Sequence, residues 1–124
     1  MGDPVTQWQI ITSDPEKHAS FYSAVFGWKI RSDNQLGYRT AHADSPRGIA
    51  GGFWPAPPEA TAFVQLFLEV TDIAAIIEKV TEKGGAVIIP PQTLPNGEQM
   101  AILRDPIGMS FGVMVPARSD VRGI

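Results

Sequence analysis

Between Val5 and Ile30 the spacing of apolar and polar residues changes rhythm twice. From Val5 to Thr12 it has period two, with Val5, Gln7, Gln9 and Ile11 on one face and Thr6, Trp8, Ile10 and Thr12 on the other. That is a strand with one apolar and one more polar side. Ser13-Asp14-Pro15-Glu16 then reads as a helix start. Either Asp14 caps with Pro15 at the first helical position, or Ser13 and Glu16 form a capping box. Phe21, Tyr22, Val25 and Phe26 give the helix an aromatic stripe, read as its sheet-packing face, and Gly27 stops it. Trp28 to Arg31 reads as a second strand, Asp33-Asn34 as a turn and Tyr38 to Ala43 as a third strand. Ser45-Pro46-Arg47-Gly48 is another turn, and Ile49 to Trp54 a fourth strand holding Gly51 and Gly52. Glycines inside a strand point to a bulge, or to close approach of another backbone or a ligand.

The same plan recurs from Phe63. A shift of 58 carries Gln7 onto Gln65, Asp14 onto Asp72, Gly27 onto Gly85 and Ile30 onto Ile88 without a gap. Such a repeat signals two copies of one supersecondary unit. Phe63 to Thr71 alternates as a strand. Asp72 caps a helix with Ile73, Ile76, Ile77 and Val80 on one face, Lys79 and Lys83 near its end, and Gly84-Gly85 closing it. Ala86 to Ile89 is the next strand. Pro90-Pro91 and Pro95-Asn96-Gly97 bracket a loop. Gln99 to Arg104 and Met109 to Val115 are the last strands, joined by Asp105-Pro106-Ile107-Gly108. Pro55-Ala56-Pro57-Pro58 reads as a stiff, extended linker. Modules of about 5–54 and 62–115, a linker at 55–61 and a polar tail at 116–124 make one domain, because neither half alone buries a good core.

Composition narrows the function. Of the 124 residues 44% are hydrophobic and 19% charged, an ordinary soluble balance. A net charge of −3, with Lys and Arg scattered, argues against a nucleic-acid partner. Every apolar run is interrupted well short of a membrane span, and the N-terminus lacks the pattern of a secretory signal. Without cysteine there is no disulfide framework, thiolate metal site or thiol nucleophile. The expected compartment is the cytoplasm. GIAGG lies in a strand and leads to Trp-Pro, so it is no dinucleotide fingerprint.

The stretches DPEKHASFYSAVFGWKI, GIAGGFWP, LEVTDIAAIIEKVTEKGGAVI and ILRDPIGMSFGVM, in this order and with the repeat, resemble the vicinal oxygen chelate superfamily. It contains lactoylglutathione lyase, the bleomycin-resistance proteins and the extradiol dioxygenases, and the resemblance spans Thr6 to Val115. It implies an α+β fold of two βαβββ modules, their curled mixed sheets forming an open barrel-like cavity with helices outside. In the catalytic members a divalent metal sits there, held from the first and fourth strand of each module, typically by His or Gln, Glu, His and Glu. The resemblance places the first-strand ligand at Gln7, its repeat mate at Gln65 and the final-strand ligand at Gly112. Ile49 to Trp54 holds Gly51 and Gly52 and no acid. Divalent metals take imidazole or carboxylate, and a charge to offset their own. No metal or other cofactor is therefore predicted. His18 and His42 are unpaired and read as structural or surface residues.

If Gln7 and Gln65 point into the cavity, as the resemblance implies, strand parity turns Gln9, Phe67, Glu69, Ser110, Gly112 and Met114 the same way, and Trp8, Leu66, Leu68 and Val70 toward the helices. Tyr38, His42, Trp54, Met100 and Arg104 border the same opening. These residues make either a small-molecule pocket with a few placed polar groups or a filled barrel whose amides satisfy one another. Glu69 is the candidate general base; its plainer role is an ion pair or a place at the wet rim. Arg104 before its turn is a candidate anion contact or a solvated charge. The leading expectation is a metal-independent small-molecule binder of the glyoxalase/bleomycin-resistance type. The alternatives are a lyase, isomerase or dioxygenase-type enzyme, metal-free with Glu69 as base or metal-dependent at a non-standard site, and an interaction module with a filled cavity. A homodimer is expected from the resemblance, supported by Phe53 and Trp54 beside the linker.

Overall fold

The computed structural model describes residues 2–32 and 38–117. The expected turn at Asp33-Asn34 and most of the 116–124 tail lie outside the described residues. In chain order the elements are β1 (Val5–Thr12), α1 (Pro15–Phe26), β2 (Lys29–Arg31), β3 (Arg39–His42), β4 (Gly51–Pro55), β5 (Phe63–Glu69), α2 (Ile73–Glu82), β6 (Ala86–Thr93), β7 (Gln99–Arg104) and β8 (Ser110–Val115). The α+β plan of two βαβββ modules is as expected. Contacts divide the chain between Gln65 and Leu66 into two compact units, residues 6–65 and residues 66 onward with those before 6.

In the first unit β1 runs parallel to β4, β4 antiparallel to β3 and β3 antiparallel to β2. Asp14 caps α1, its Oδ1 accepting the Lys17 N–H at 3.0 Å, so the aspartate cap prevails over the Ser13–Glu16 box. Gly27 ends the helix at φ 73°, a left-handed conformation that costs glycine least. One face of β1, β3 and β4 packs under α1: Ile10, Ala19, Ala41 and Phe53 are buried, with Trp8, Tyr22, Trp28 and Ile30 against them.

The aromatic stripe of α1 needs correction. Tyr22 packs inward, but Phe21, Val25 and Phe26 are 56%, 56% and 61% exposed. At 100° per residue the buried arc centres on His18, Ala19 and Tyr22, so Phe21 and Val25 fall beside it. Phe26, in the last turn, stacks beside Tyr22 and lies tilted against Trp28, with most of its surface left outside. Phe53 is fully buried. It has no surface to offer a second copy, and that support for a homodimer falls.

The linker also differs from expectation. Pro55 still belongs to β4, opposite Thr12, and the Ala56 N–H donates to the Thr12 carbonyl. The chain then turns instead of extending, with the Ala60 N–H donating to the Pro57 carbonyl at 3.0 Å.

In the second unit the strand order is β5-β8-β7-β6, with β5 parallel to β8 and the remaining pairs antiparallel. Asp72 Oδ1 accepts the Ala75 N–H and starts α2. Ile73, Val70, Ala101, Leu103 and Val113 form the core beneath it, joined by Ile76, Ile77 and Val80. β6 does not stop before Pro90-Pro91 but runs to Thr93, with register irregularities after Val87 and after Ile89. A strand with one neighbour tolerates prolines that have no N–H to give, and the irregular pairing accommodates them. After β7, Asp105 closes the turn to β8 by accepting the N–H groups of Ile107, Gly108 and Met109 at 2.9, 2.9 and 3.0 Å. Among the described residues no helix is long and apolar enough to cross a membrane.

Candidate functional site

In each unit one sheet face lies under a helix, and the candidate residues sit on the other. In the first unit Trp8 and Ile10 take the helix side, which leaves Gln7 and Gln9 on the opposite face of β1. Gln9 is opposite Gly52 and Ile11 opposite Trp54. Residues directly opposite share a face, so Thr40, opposite Gly52, joins them, and so do Tyr38 and His42 by alternation.

Two aromatic rings dominate this face. Tyr38 and Trp54 stack with centroids 4.4 Å apart and planes 7° from parallel, both half-buried. The Trp54 indole N–H is buried and has no acceptor among the described residues. Gly52 lies beneath the stack. A Cβ there would stand 2.7 Å from the Arg39 carbonyl oxygen and 3.2 Å from Tyr38 Cε2. Gly51 faces the helix side, and a Cβ on it would overlap the Trp8 ring. The glycine pair of β4 therefore admits an indole on one side and a phenol on the other, which is why this strand needs both.

The amides differ in exposure. Gln9 is 7% and Gln65 4% exposed, while Gln7 is half-buried and engaged by a neighbouring group. His42 stands apart, exposed at the end of β3, where it lines a hollow of about 350 Å³ with Ser45 and Arg47. Lys29 Nζ lies 2.9 Å from Asp44 Oδ2 beside it and holds that carboxyl below the usual carboxylate range. His18 faces the other way, sharing a 2.7 Å hydrogen bond with Thr12 Oγ1.

In the second unit Phe67 is opposite Gly112 and Glu69 opposite Met114. Met100 is opposite Met114, Ile102 opposite Gly112 and Arg104 opposite Ser110. All lie away from α2. Phe67, Ile102 and Met114 form a buried cluster with Met100 against it. A Cβ on Gly112 would overlap the Phe67 ring. Glu69 is half-buried and has no ion-pair partner among the described residues. Arg104 is exposed and Ser110 half-buried at the far end of the same face.

The registers align what the sequence left open on β4. Gln9 is opposite Gly52 and Phe67 opposite Gly112. Since 9 + 58 = 67, Gly52 and Gly112 are repeat mates, and each lies under an aromatic ring. Two features were missed: the Tyr38–Trp54 stack and the part played by Ile102. The first had a signal. Opposed residues on β3 and β4 have numbers summing to 92 (39 + 53, 40 + 52, 41 + 51), so a hairpin centred on Pro46 sets 38 against 54.

Residues 4–113 match the Glyoxalase/Bleomycin resistance protein/Dioxygenase superfamily. The chain belongs to that superfamily. It is 30% identical over 112 residues to the protein named "Putative glyoxylase CFP32" in Mycobacterium bovis and Mycobacterium tuberculosis. The match covers 88% of this chain but only 42% of those relatives, so the chain spans less than half their length. Among solved structures, hypothetical protein BH1468 of Bacillus halodurans superposes with a TM-score of 0.68 at 16% identity, covering 95% of this chain and 97% of that one. Methylmalonyl-CoA epimerase of Mycobacterium tuberculosis gives 0.65 at 13% identity, over 95% and 91%. A methylmalonyl-CoA epimerase in complex with methylmalonyl-CoA gives 0.63 at 18%, over 94% and 96%. These likenesses carry the superfamily fold.

Proposed function

We propose that this chain binds a small molecule, as superfamily members of the bleomycin-resistance type do, without the metal used by the catalytic members. One observation carries the reading. At the repeat-related positions on β4 and β8 stand Gly52 and Gly112, each covered by an aromatic ring, while the first-strand positions of the two modules offer only the amides of Gln7 and Gln65. Two neutral amides supply neither the imidazole or carboxylate donors nor the charge a divalent ion takes. These four positions do not fit the group, so no step through a metal follows. Each module, taken by itself, offers amide donors and acceptors beside aromatic and apolar surface, the usual make-up of a small-molecule site.

A second reading, a metal-free enzyme, is favoured by Glu69. It is half-buried on the same face as Phe67 and lacks an ion-pair partner among the described residues. In this reading it takes a proton from a bound substrate. The glyoxylase and epimerase names of the relatives make carbonyl compounds and acyl thioesters the first substrates to try.

Both readings are tested on one preparation. Protein purified without chelator is analysed for bound metal, with and without added Mn²⁺, Ni²⁺ and Zn²⁺, and screened by thermal shift against metabolites and aromatic compounds. A ligand that prefers the folded state raises the melting temperature. The expected result is a stabilising ligand and no stoichiometric metal. One tightly held divalent ion per chain overturns the metal-free reading, and turnover abolished by Glu69→Gln moves the conclusion to the enzyme.

A further inference from the structure

We propose that Asn96 is a self-modification site kept closed by the turn between β6 and β7, and that it converts to aspartate and isoaspartate only when this turn opens. Asn96-Gly97 is the one Asn-Gly pair in the chain; the other asparagine, Asn34, precedes Gln35. A glycine carries no side chain to hinder its own nitrogen, which can therefore attack the carboxamide of the residue before it. The Gly97 nitrogen adds to Asn96 Cγ, so that an N–Cγ bond forms and the Cγ–Nδ2 bond breaks. Nδ2 leaves as ammonia with the proton that the Gly97 nitrogen gives up. Water then opens the cyclic imide at either carbonyl, giving aspartate or isoaspartate. Water is the only co-reactant, and nothing is oxidised or reduced.

The turn opposes that step at both reacting groups. The Leu94 N–H donates to the Glu98 carbonyl at 2.7 Å and the Gly97 N–H to the Leu94 carbonyl at 2.9 Å, with Gly97 left-handed at φ 93°. The attacking nitrogen must give up a hydrogen bond before it can lose its proton. The carboxamide is held by the residue beyond Gly97: Asn96 Oδ1 accepts the Glu98 N–H at 3.0 Å, and Nδ2 donates to Glu98 Oε1 at 3.1 Å. Presenting the face of the carboxamide to the Gly97 nitrogen turns both atoms away from these partners. Asn96 and Gly97 are nevertheless exposed, at the tip of a hairpin whose strand β6 has one neighbour. Such a tip opens locally, at less cost than unfolding the chain. Conversion cannot be undone by reclosing. Isoaspartate lengthens the main chain by a carbon, and aspartate sets a second carboxylate against Glu98 where an amide N–H stood.

The full chain is incubated at pH 8, folded in buffer and unfolded in guanidinium chloride, and then digested with trypsin. Cleavage after Lys83 and Arg104 releases Asn96 in one peptide, whose asparagine, aspartate and isoaspartate forms are separated by chromatography and weighed by mass spectrometry. The expected result is ready conversion at Asn96 in guanidinium, and a rate lower by roughly tenfold or more in the folded chain, because several hydrogen bonds must break together. Pro95→Gly frees the backbone before Asn96 and is expected to raise the ratio of folded to unfolded rates roughly two- to fivefold. Equal rates in the folded and unfolded wild-type chain overturn the closing role of the turn. Failure of Asn96 to convert in guanidinium overturns the site itself. A ratio unchanged by Pro95→Gly also overturns the proposal, since the turn would then not be what restrains the step. If Pro95→Gly does not fold, the two wild-type rates decide alone.

Discussion

Thr12 Oγ1 stands 2.7 Å from His18 Nδ1 and accepts the Asp14 N–H at 3.1 Å. A threonine that is only 1% exposed thus ties the end of β1 to the first turn of α1 and fixes the ring of His18. His18 in turn stacks on Tyr22 and Phe53. Thr12→Val keeps the shape and removes the hydroxyl. It leaves a part-buried N–H and an imidazole nitrogen without this partner, at a cost of about 1 kcal/mol in urea unfolding. An unchanged midpoint would mean that solvent replaces both bonds.

Asp105 is the counterpart in the second unit. Its Oδ1 gathers three backbone N–H groups in the turn before β8. Asp105→Ala is expected to lower stability by about 2 kcal/mol, and Asp105→Asn by less, since an amide oxygen still accepts. Chemical denaturation of the two variants side by side gives the ranking, which an equal loss would contradict.

Gly112 and Phe67 are coupled by contact. Gly112→Ala forces its methyl into the ring and should cost about 1–3 kcal/mol. Phe67→Leu alone costs packing in the Ile102–Met114 cluster. The double variant should be more stable than the sum of the two losses implies, because the smaller side chain makes room for the methyl. Additive losses in thermal unfolding would mean that the ring and the glycine do not compete for space.

The Lys29–Asp44 pair is fully at the surface, and its effect is one of direction. Asp44 has its folded pKa lowered by the Lys29 ammonium. Its contribution is present above the unfolded carboxylate pKa and is lost as pH falls through the lowered folded value. Asp44→Asn should therefore flatten the acid limb of the stability profile without altering it near neutrality beyond a small offset. Moderate salt should shrink the difference.

Much of this was legible in the chain. Asp14, Gly27, Asp72 and the Asp105 turn mark element ends through local chemistry, which needs no tertiary context. Strand parity depends only on the two-residue period, and it separates Gln7 and Gln9 from Trp8 and Ile10. What failed was decided by neighbours. Aromatic residues on α1 said nothing about which arc packs, and Phe21 and Val25 lost that place to His18, Ala19 and Tyr22. Pro90-Pro91 reads as a break until β6 is seen to have a partner on one side only. Gly52 could not be aligned with Gly112 until the two parallel registers were in hand.

The rings over Gly52 and Gly112 also govern which substitutions can follow one another. An acid arriving at position 112 first meets Phe67, and at position 52 it meets Tyr38 and the Arg39 carbonyl. Each gain of a charged side chain must wait for a smaller neighbour to arise. The intermediate then carries a cavity, and the same detour applies in each repeat. The chain's present form is held less by what two glycines lack than by the order in which their neighbours would have to change.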